Sequence, residues 1–345
     1  MGTKSITAIF FISLVFTFPL AAEEISLMSY NVENLFDNKD DIGKDDKAFL
    51  PASFKRGSYH KGHCKKIEVK KWRDECLYLD WNEEAKTKKI LNIAKVVSSF
   101  GPNGADIIAF QEIENIHVLR DLYNELEPLG YLDFVLLEGK DYRGIDSAII
   151  SKFPIKRSKL HFIEFSPGFP TKDTRPILEA QIELSGKTLR VYSVHFPAPF
   201  LDSVMRNDAF IHLESLLNSH NDPAVAMGDF NVTSEEETEL GTFKDQSKIW
   251  YVSHQQGCTK CKGTYYYEPR DDWSFLDAIL VSKGRGVSFN TLSIDVLINQ
   301  SNAFKDSSKP KGFDAVSMEG VSDHFPVIAK VNFCLLYTSP SPRDS

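Results

Sequence analysis

The sequence predicts an α/β fold of one compact domain, and three observations point there. Apolar runs of strand length alternate with longer segments whose apolar residues fall at helical spacing. The 345 residues are 42% hydrophobic and 26% charged, enough apolar mass for one sizeable core. No internal period and no linker-like stretch divides the chain, so residues 23–333 read as one unit.

The elements follow in order. Lys4, the apolar run 6–20 and the small pair Ala21-Ala22 predict a signal peptide over residues 1–22, hence a secreted or periplasmic protein. That run is short for a membrane span, and no other long apolar stretch follows, so no membrane contact is expected after cleavage. Residues 25–30 read as a strand leading into Asn31. Residues 37–80 are polar and rich in Lys and His, and read as a long insertion. Its basic cluster (Lys55, Arg56, Lys61, Lys65, Lys66, Lys70, Lys71, Arg73) is either a solvated loop or a steering surface for a polyanion.

Residues 82–100 carry Ile90, Ile93, Ala94 and Val97 at helical spacing, with Asp80 placed to cap them. A buried strand over 107–110 ends in Gln111-Glu112, a helix covers 118–126, and strands cover 134–137 and 148–151. Residues 177–182 and 188–195 form a hairpin around Ser185-Gly186-Lys187. A helix over 200–219 precedes the apolar strand 224–227, and 275–281 and 327–331 are strand-like. Residues 334–345 resemble translated sequencing-adapter read-through and are set apart from the fold.

Cys64, Cys76, Cys258 and Cys261 in an exported chain read as disulfides, most simply the local pairs Cys64–Cys76 and Cys258–Cys261. Three connectivities are open, as is a zinc site on Cys258, Cys261 and His60 or His63. The formal net charge of -8 excludes global attraction to polyanions. A nucleic-acid substrate would need local basic patches and metal ions.

Polar residues accumulate where apolar strands stop. Tyr30 gives way to Asn31 and Glu33, Phe110 to Glu112, Val194 to His195, Met227 to Asp229 and Asn231, and Leu276 to Asp277. Ser322-Asp323-His324 precedes the last strand. Repetition at six places argues for convergence on one edge of a sheet assembly. Carboxylates that fix a hard cation, together with a His that exchanges a proton, support attack of water on a phosphate ester.

The runs Met28-Ser29-Tyr30-Asn31-Val32-Glu33-Asn34-Leu35-Phe36, Phe110-Gln111-Glu112, Gly228-Asp229-Phe230-Asn231 and Ser322-Asp323-His324 resemble the endonuclease/exonuclease/phosphatase (DNase I-like) superfamily. Arg143-Gly144-Ile145-Asp146 and Thr174-Arg175-Pro176-Ile177-Leu178 resemble its bacterial exported branch. The resemblance implies a four-layer α/β/β/α sandwich of two packed mixed sheets. It implies Mg2+ (with Mn2+ or Ca2+ as alternatives) on Glu112, supported by Asn31, Glu33 and Asp323. Asp229 would act on the attacking water and Asn231 on the scissile phosphate. His324 would be the acid–base partner backed by Asp277. His195 would be a second phosphate-side His that protonates the leaving oxygen, and Arg175 would pair with phosphate oxygens.

Two departures stand out: Tyr142-Arg143-Gly144 has unusual spacing, and His195 leads into Phe196-Pro197-Ala198-Pro199. Asp146 either belongs to the site or pairs with Arg143. Tyr265-Tyr266-Tyr267 reads as an aromatic strand packed on the sheet, or as a base-stacking surface. The expected protein is an exported metal-dependent phosphodiesterase, a DNA endonuclease acting as a monomer without a stable protein partner. The alternatives are a phosphatase or lipid phosphodiesterase of the same fold, or a silent binding protein. A silent protein would have lost Glu112, Asp229 or His324, and all three are present. A lipid enzyme would show an exposed apolar hairpin, and none is evident.

Overall fold

A computed structural model describes residues 22–169 and 174–334. The predicted signal peptide, save Ala22, and the tail beyond Cys334 lie outside the described residues. The strands, in chain order, begin with β1 (Ala22–Leu35), β2 (Ile107–Ile113), β3 (Asp133–Leu136), β4 (Asp146–Ser151), β5 (Ile155–His161), β6 (Ile177–Leu184) and β7 (Lys187–His195). They continue with β8 (Ala224–Asp229), β9 (Trp250–Val252), β10 (Tyr265–Tyr267), β11 (Asp272–Ser274), β12 (Asp277–Ser282), β13 (Val287–Val296) and β14 (Val327–Cys334). The helices that matter below are α1 (Ser58–Cys64), α2 (Lys70–Tyr78), α3 (Glu83–Ser98), α4 (Ile116–Leu126) and α5 (Ser203–Asn218).

Two six-stranded mixed sheets form, ordered β13-β14-β1-β2-β4-β3 and β5-β6-β7-β8-β12-β9. Alternation along β1 shows why they stack. Ile25 and Leu27 point to the inner face and meet Leu178, Val191, Met227 and Ile279 of the other sheet. Met28 and Tyr30 point outward, under Ile90, Ile93 and Val97 of α3 and Val118 and Leu122 of α4. On the far side Tyr192, Val194, Ala226 and Leu280 lie under Ala209, Phe210 and Leu213 of α5. The result is the expected four-layer α/β/β/α sandwich.

Strand direction then fixes where polar residues collect. β1 runs parallel to β2, and β7 parallel to β8, so each pair ends at the same edge. β12 is antiparallel to β8 with Asp277 opposite Asp229, so it starts where β8 stops. β14 begins opposite Ser29 of β1, which places residues 322–324 at that edge as well.

Local corrections follow. Asn82, not Asp80, caps α3: its side chain accepts the Ala85 N–H, while Asp80 accepts that of Ala52. The 37–80 insertion is built rather than loose. It contains α1 and α2 joined by the Cys64–Cys76 disulfide, and its Phe49 packs against Phe36 and Trp81 at its two ends, where the Phe36 carbonyl accepts the Trp81 indole N–H. Lys55 of its basic cluster is buried and donates to the carbonyls of Ala48 and Glu75, so it faces no polyanion.

Cys258 and Cys261 are also joined, and His60 bonds the Cys76 carbonyl at 2.8 Å, which leaves no thiolates for the zinc alternative. Asp146 does not pair with Arg143; it accepts the Gly139 N–H at 2.9 Å. β5 and β13 were not expected. β5 has an exposed central stretch, and β13 alternates at a sheet edge with Leu292 open to solvent, so neither shows a continuous apolar run. β14 extends through Cys334, which pairs with Ala22. Among the described residues, no helix is long and apolar enough to cross a membrane.

Glu179 on β6 ties the rim of the second sheet together, accepting from His161 at 2.7 Å and from Arg190 and Gln181. Burial pushes its carboxyl up, but these donors outweigh burial and pull it down to about 2. Its contribution is therefore present above the unfolded carboxyl range and is lost as pH falls from about 4 toward 2. Glu179→Gln should destabilise the protein by about 2 kcal/mol at neutral pH. Urea midpoints measured against pH should show a shallower acid limb in the variant.

Candidate active site

The shared edge opens into a cleft of about 900 Å³, lined by Glu112, Arg175, His195, Asp229, Asn231, Asp323 and His324 among others. The backbone that delivers these side chains is unusual. Glu33, Asn34, Glu112 and Asn231, none of them glycine, have φ of 52°, 60°, 64° and 55°. The left-handed region costs an ordinary residue roughly 1 kcal/mol, so something must hold each one there. Asn31 Oδ1 takes the Glu33 N–H, Glu112 Oε2 takes the Asn34 N–H, and Asp229 Oδ1 takes the Asn231 N–H. The residues of the site thus hold one another in place.

Asp229 Oδ2 is the focus. It accepts from Asn31 Nδ2 at 3.1 Å, with His195 Nε2 at 3.6 Å and His324 Nε2 at 4.0 Å. His324 Nδ1 bonds Asp277 Oδ2 at 2.7 Å, and the Asp277 N–H donates to Thr264 Oγ1. His195 Nε2 stands 3.9 Å from Glu112 Oε1, which Arg143 approaches at 3.7 Å. Arg175 and the Asn231 amide both donate to the Phe196 carbonyl at 3.0 Å, which places them side by side. Ser322 donates to the Asn31 carbonyl and accepts the His324 N–H, fixing the last loop on β1.

Two electrostatic regions result. Burial pushes the Glu33 carboxyl up, and Asp323 and Glu112 push it further. Asp323 is also raised, by burial and by Glu112 against the pull of His324. For Glu112, burial is outweighed by Arg143, His324 and Arg175, which hold it below the usual range. Three partly exposed carboxylates that repel one another, with the buried Asn31 beside them, offer only hard oxygen donors, and a divalent cation fits such a set.

On the other side, burial opposes protonation of His324, but Asp277, Asp323 and Asp229 raise it well above the usual range. His195 goes the other way: burial, Arg175, Arg143 and His324 all lower it, so it stays neutral. Asp229 is raised, by burial first and then by Asp277.

All ten residues expected from the sequence border this one edge. Others were not foreseen. Lys89 is buried on the core face of α3 and donates to the Glu33 carbonyl beneath the carboxylates. A lysine in register with Ala85 and Ile93 was the available signal. Asp141, also buried, approaches Arg175 at 3.4 Å and accepts the Arg143 N–H, and no sequence pattern announced it. Tyr265 pairs with His324 as an isolated bridge, its ring 5.0 Å from the imidazole, so the three-tyrosine strand belongs to the cleft wall.

Gly228 marks how tightly the site is built. A Cβ there would lie 1.9 Å from the Val194 carbonyl oxygen, because β7 and β8 close on each other just before His195 and Asp229. Gly228→Ala should destabilise the protein by more than about 3 kcal/mol, read from chemical denaturation.

The comparisons with known proteins follow this geometry. The Endonuclease/Exonuclease/phosphatase family model matches residues 77–332. No curated protein matches in sequence. An endonuclease/exonuclease/phosphatase family protein from Bacteroides thetaiotaomicron is 20% identical, with a TM-score of 0.57 over 91% of this chain and 100% of that one. A mannosyl-6-phosphatase of the same organism is 18% identical, TM-score 0.54, over 89% and 99%. Truncated Caenorhabditis elegans TDP2 is 11% identical, TM-score 0.53, over 90% and 97%. These likenesses concern the fold. The match over residues 77–332 shows that the chain belongs to the endonuclease/exonuclease/phosphatase family, hydrolases that act on phosphate ester bonds.

Proposed function

We propose that this protein is an exported, Mg2+-dependent phosphodiesterase that cleaves DNA, with Asp229 at the centre of its chemistry. The observation that carries the reading is Asp229 Oδ2, which faces Asn31, His195 and His324 between a carboxylate cluster and an arginine pair. Glu112, Glu33, Asp323 and Asn31 would hold the cation. When bound, it would neutralise phosphate charge and lower the pKa of a coordinated water.

The chain's own residues do the rest. Asp229, held by Asn31 and the Asn231 N–H, is placed to orient the attacking water and take its proton. Asn231, Arg175 and neutral His195 would donate hydrogen bonds to phosphate oxygens. The sequence reading gave the leaving-group proton to His195. The electrostatics favour His324, which is kept charged by Asp277, while His195 is kept neutral. Asp277 fixes the ring so that Nε2 faces Asp229.

The cleft walls support a nucleic-acid substrate. Trp72 of α2, Phe200 and Tyr267 are exposed around it, with Arg143 and Arg270, and Lys71 acts on the carboxylates from the insertion. Flat rings beside cations suit unstacked bases. Two disulfides support an oxidising destination, as the predicted signal peptide does. A second reading, a phosphatase of small phosphoesters, is favoured by the size of the cleft, which is that of a small-molecule pocket.

The test is turnover of plasmid DNA, single-stranded DNA, RNA, sphingomyelin and sugar phosphates. DNA left intact beside rapid release from a sugar phosphate would replace the first reading with the second. Chelation should abolish all turnover and Mg2+ should restore it. His324→Ala should lower kcat by roughly 10²–10⁴-fold with an unchanged circular dichroism spectrum.

A further inference from the structure

Four carboxylates outside the cleft have no role in the chemistry above. Asp37, Asp41 and Asp46 lie on the segment that opens the insertion, and Glu114 follows β2. One oxygen from each of Asp41, Asp46 and Glu114 lies within 4.8 Å of the others. Acidic clusters are common, and proximity alone says little. Here, however, Asp46 is 1% and Glu114 2% exposed, and Asp46 Oδ1 and Glu114 Oε1 are buried without a hydrogen-bond partner among the described residues.

Their other oxygens are engaged. Asp46 Oδ2 accepts the Asp41 N–H, and Glu114 Oε2 accepts the Asp37 N–H, both at 2.6 Å. Asp37 accepts the Lys39 N–H and the Asn115 amide. Among the described residues, no Lys, Arg or His forms an ion pair with any of the four; the nearby Lys47 pairs with Asp40 instead. Ionised carboxylates buried with open lone pairs and no cationic partner are strongly unfavourable, and they are relieved either by taking up a proton or by a bound cation.

We propose that Asp41, Asp46 and Glu114, with Asp37 alongside, form a second metal site, for a hard divalent cation of the calcium class. The donors are all oxygen, and they come from an irregular loop and a strand end. Such a set suits the flexible coordination of Ca2+ better than the strict octahedron of Mg2+.

The site would be structural. Asp37 comes three residues after Asn34, whose N–H holds Glu112, and Glu114 comes two after Glu112 itself. A bound ion would join the opening of the insertion to the end of β2, bracing the turn that aims Glu112 into the cleft.

The experiment uses the disulfide-intact chain, stripped with chelator and titrated with CaCl2 by calorimetry and thermal melting. Glu112→Gln/Asp323→Asn serves as the parent, so that ions in the cleft are not counted. The parent should bind one Ca2+, more tightly than Mg2+. Ca2+ at a hundred times its dissociation constant should raise the melting temperature by roughly 5 °C.

Adding Asp46→Asn or Glu114→Gln should weaken binding at least tenfold and remove the melting shift. Both changes keep side-chain shape and relieve repulsion, so the stripped variants should melt no lower than the stripped parent. A parent that takes up no Ca2+, or variants that bind it unchanged, would overturn the site. Equal affinity for Mg2+ would overturn its calcium character.

Discussion

The hydrogen bond from Asn31 to Asp229 spans 198 residues and joins the two sheets at the edge where the chemistry is expected. Neither partner could be placed without the other sheet. Asn31 ends the straight part of β1 in one layer, and Asp229 ends β8 in the other. Their contact requires both parallel pairs to stop at the same level, which in turn requires the inner faces to interdigitate in one register. The apolar core between the sheets therefore does more than stabilise: it sets the distance between the two halves of the site.

Three left-handed residues where β1 and β2 end, and a fourth just past β8, show a second consequence of that contact. Asn34, Glu112 and Asn231 thereby line the cleft, while the Glu33 carboxylate accepts the Phe313 N–H beside it. Three of them donate their backbone N–H to side chains of the same site, Glu33 to Asn31, Asn34 to Glu112 and Asn231 to Asp229. The β1–β2 register breaks between Asn31 and Leu35, at the same place. Crowded like charges add to the strain, and Lys89 beneath Glu33 offsets part of it. The site is thus locally unfavourable and globally enforced.

Most of the architecture was legible because burial writes itself into the sequence as apolar runs. The central strands β1, β2, β7, β8 and β12 carry such runs, which give way to polar residues in the first four and follow Asp277 in β12. β5 and β13 are exposed on one side and lack that signature. The site was legible where chemistry coincides with strand ends, as at Glu112 and Asp229. It was not legible where a side chain acts from another element. Asp141 reaches Arg175 across 34 residues, and nothing in a linear pattern announces such a contact. The helices inside the insertion were not foreseen, because the segment packs through a few aromatics from distant positions, Phe36, Phe49, Trp81 and Phe313, instead of a periodic stripe.

That insertion leaves and rejoins the chain within one stretch, between the end of β1 and the start of α3. It carries its own cross-link, and its Phe49 packs with Phe36, Trp81 and Phe313 from outside it. It also supplies Trp72 to one wall of the cleft. A change confined to the insertion would therefore reshape that wall while the strand ends that carry Glu112 and Asp229 keep their register.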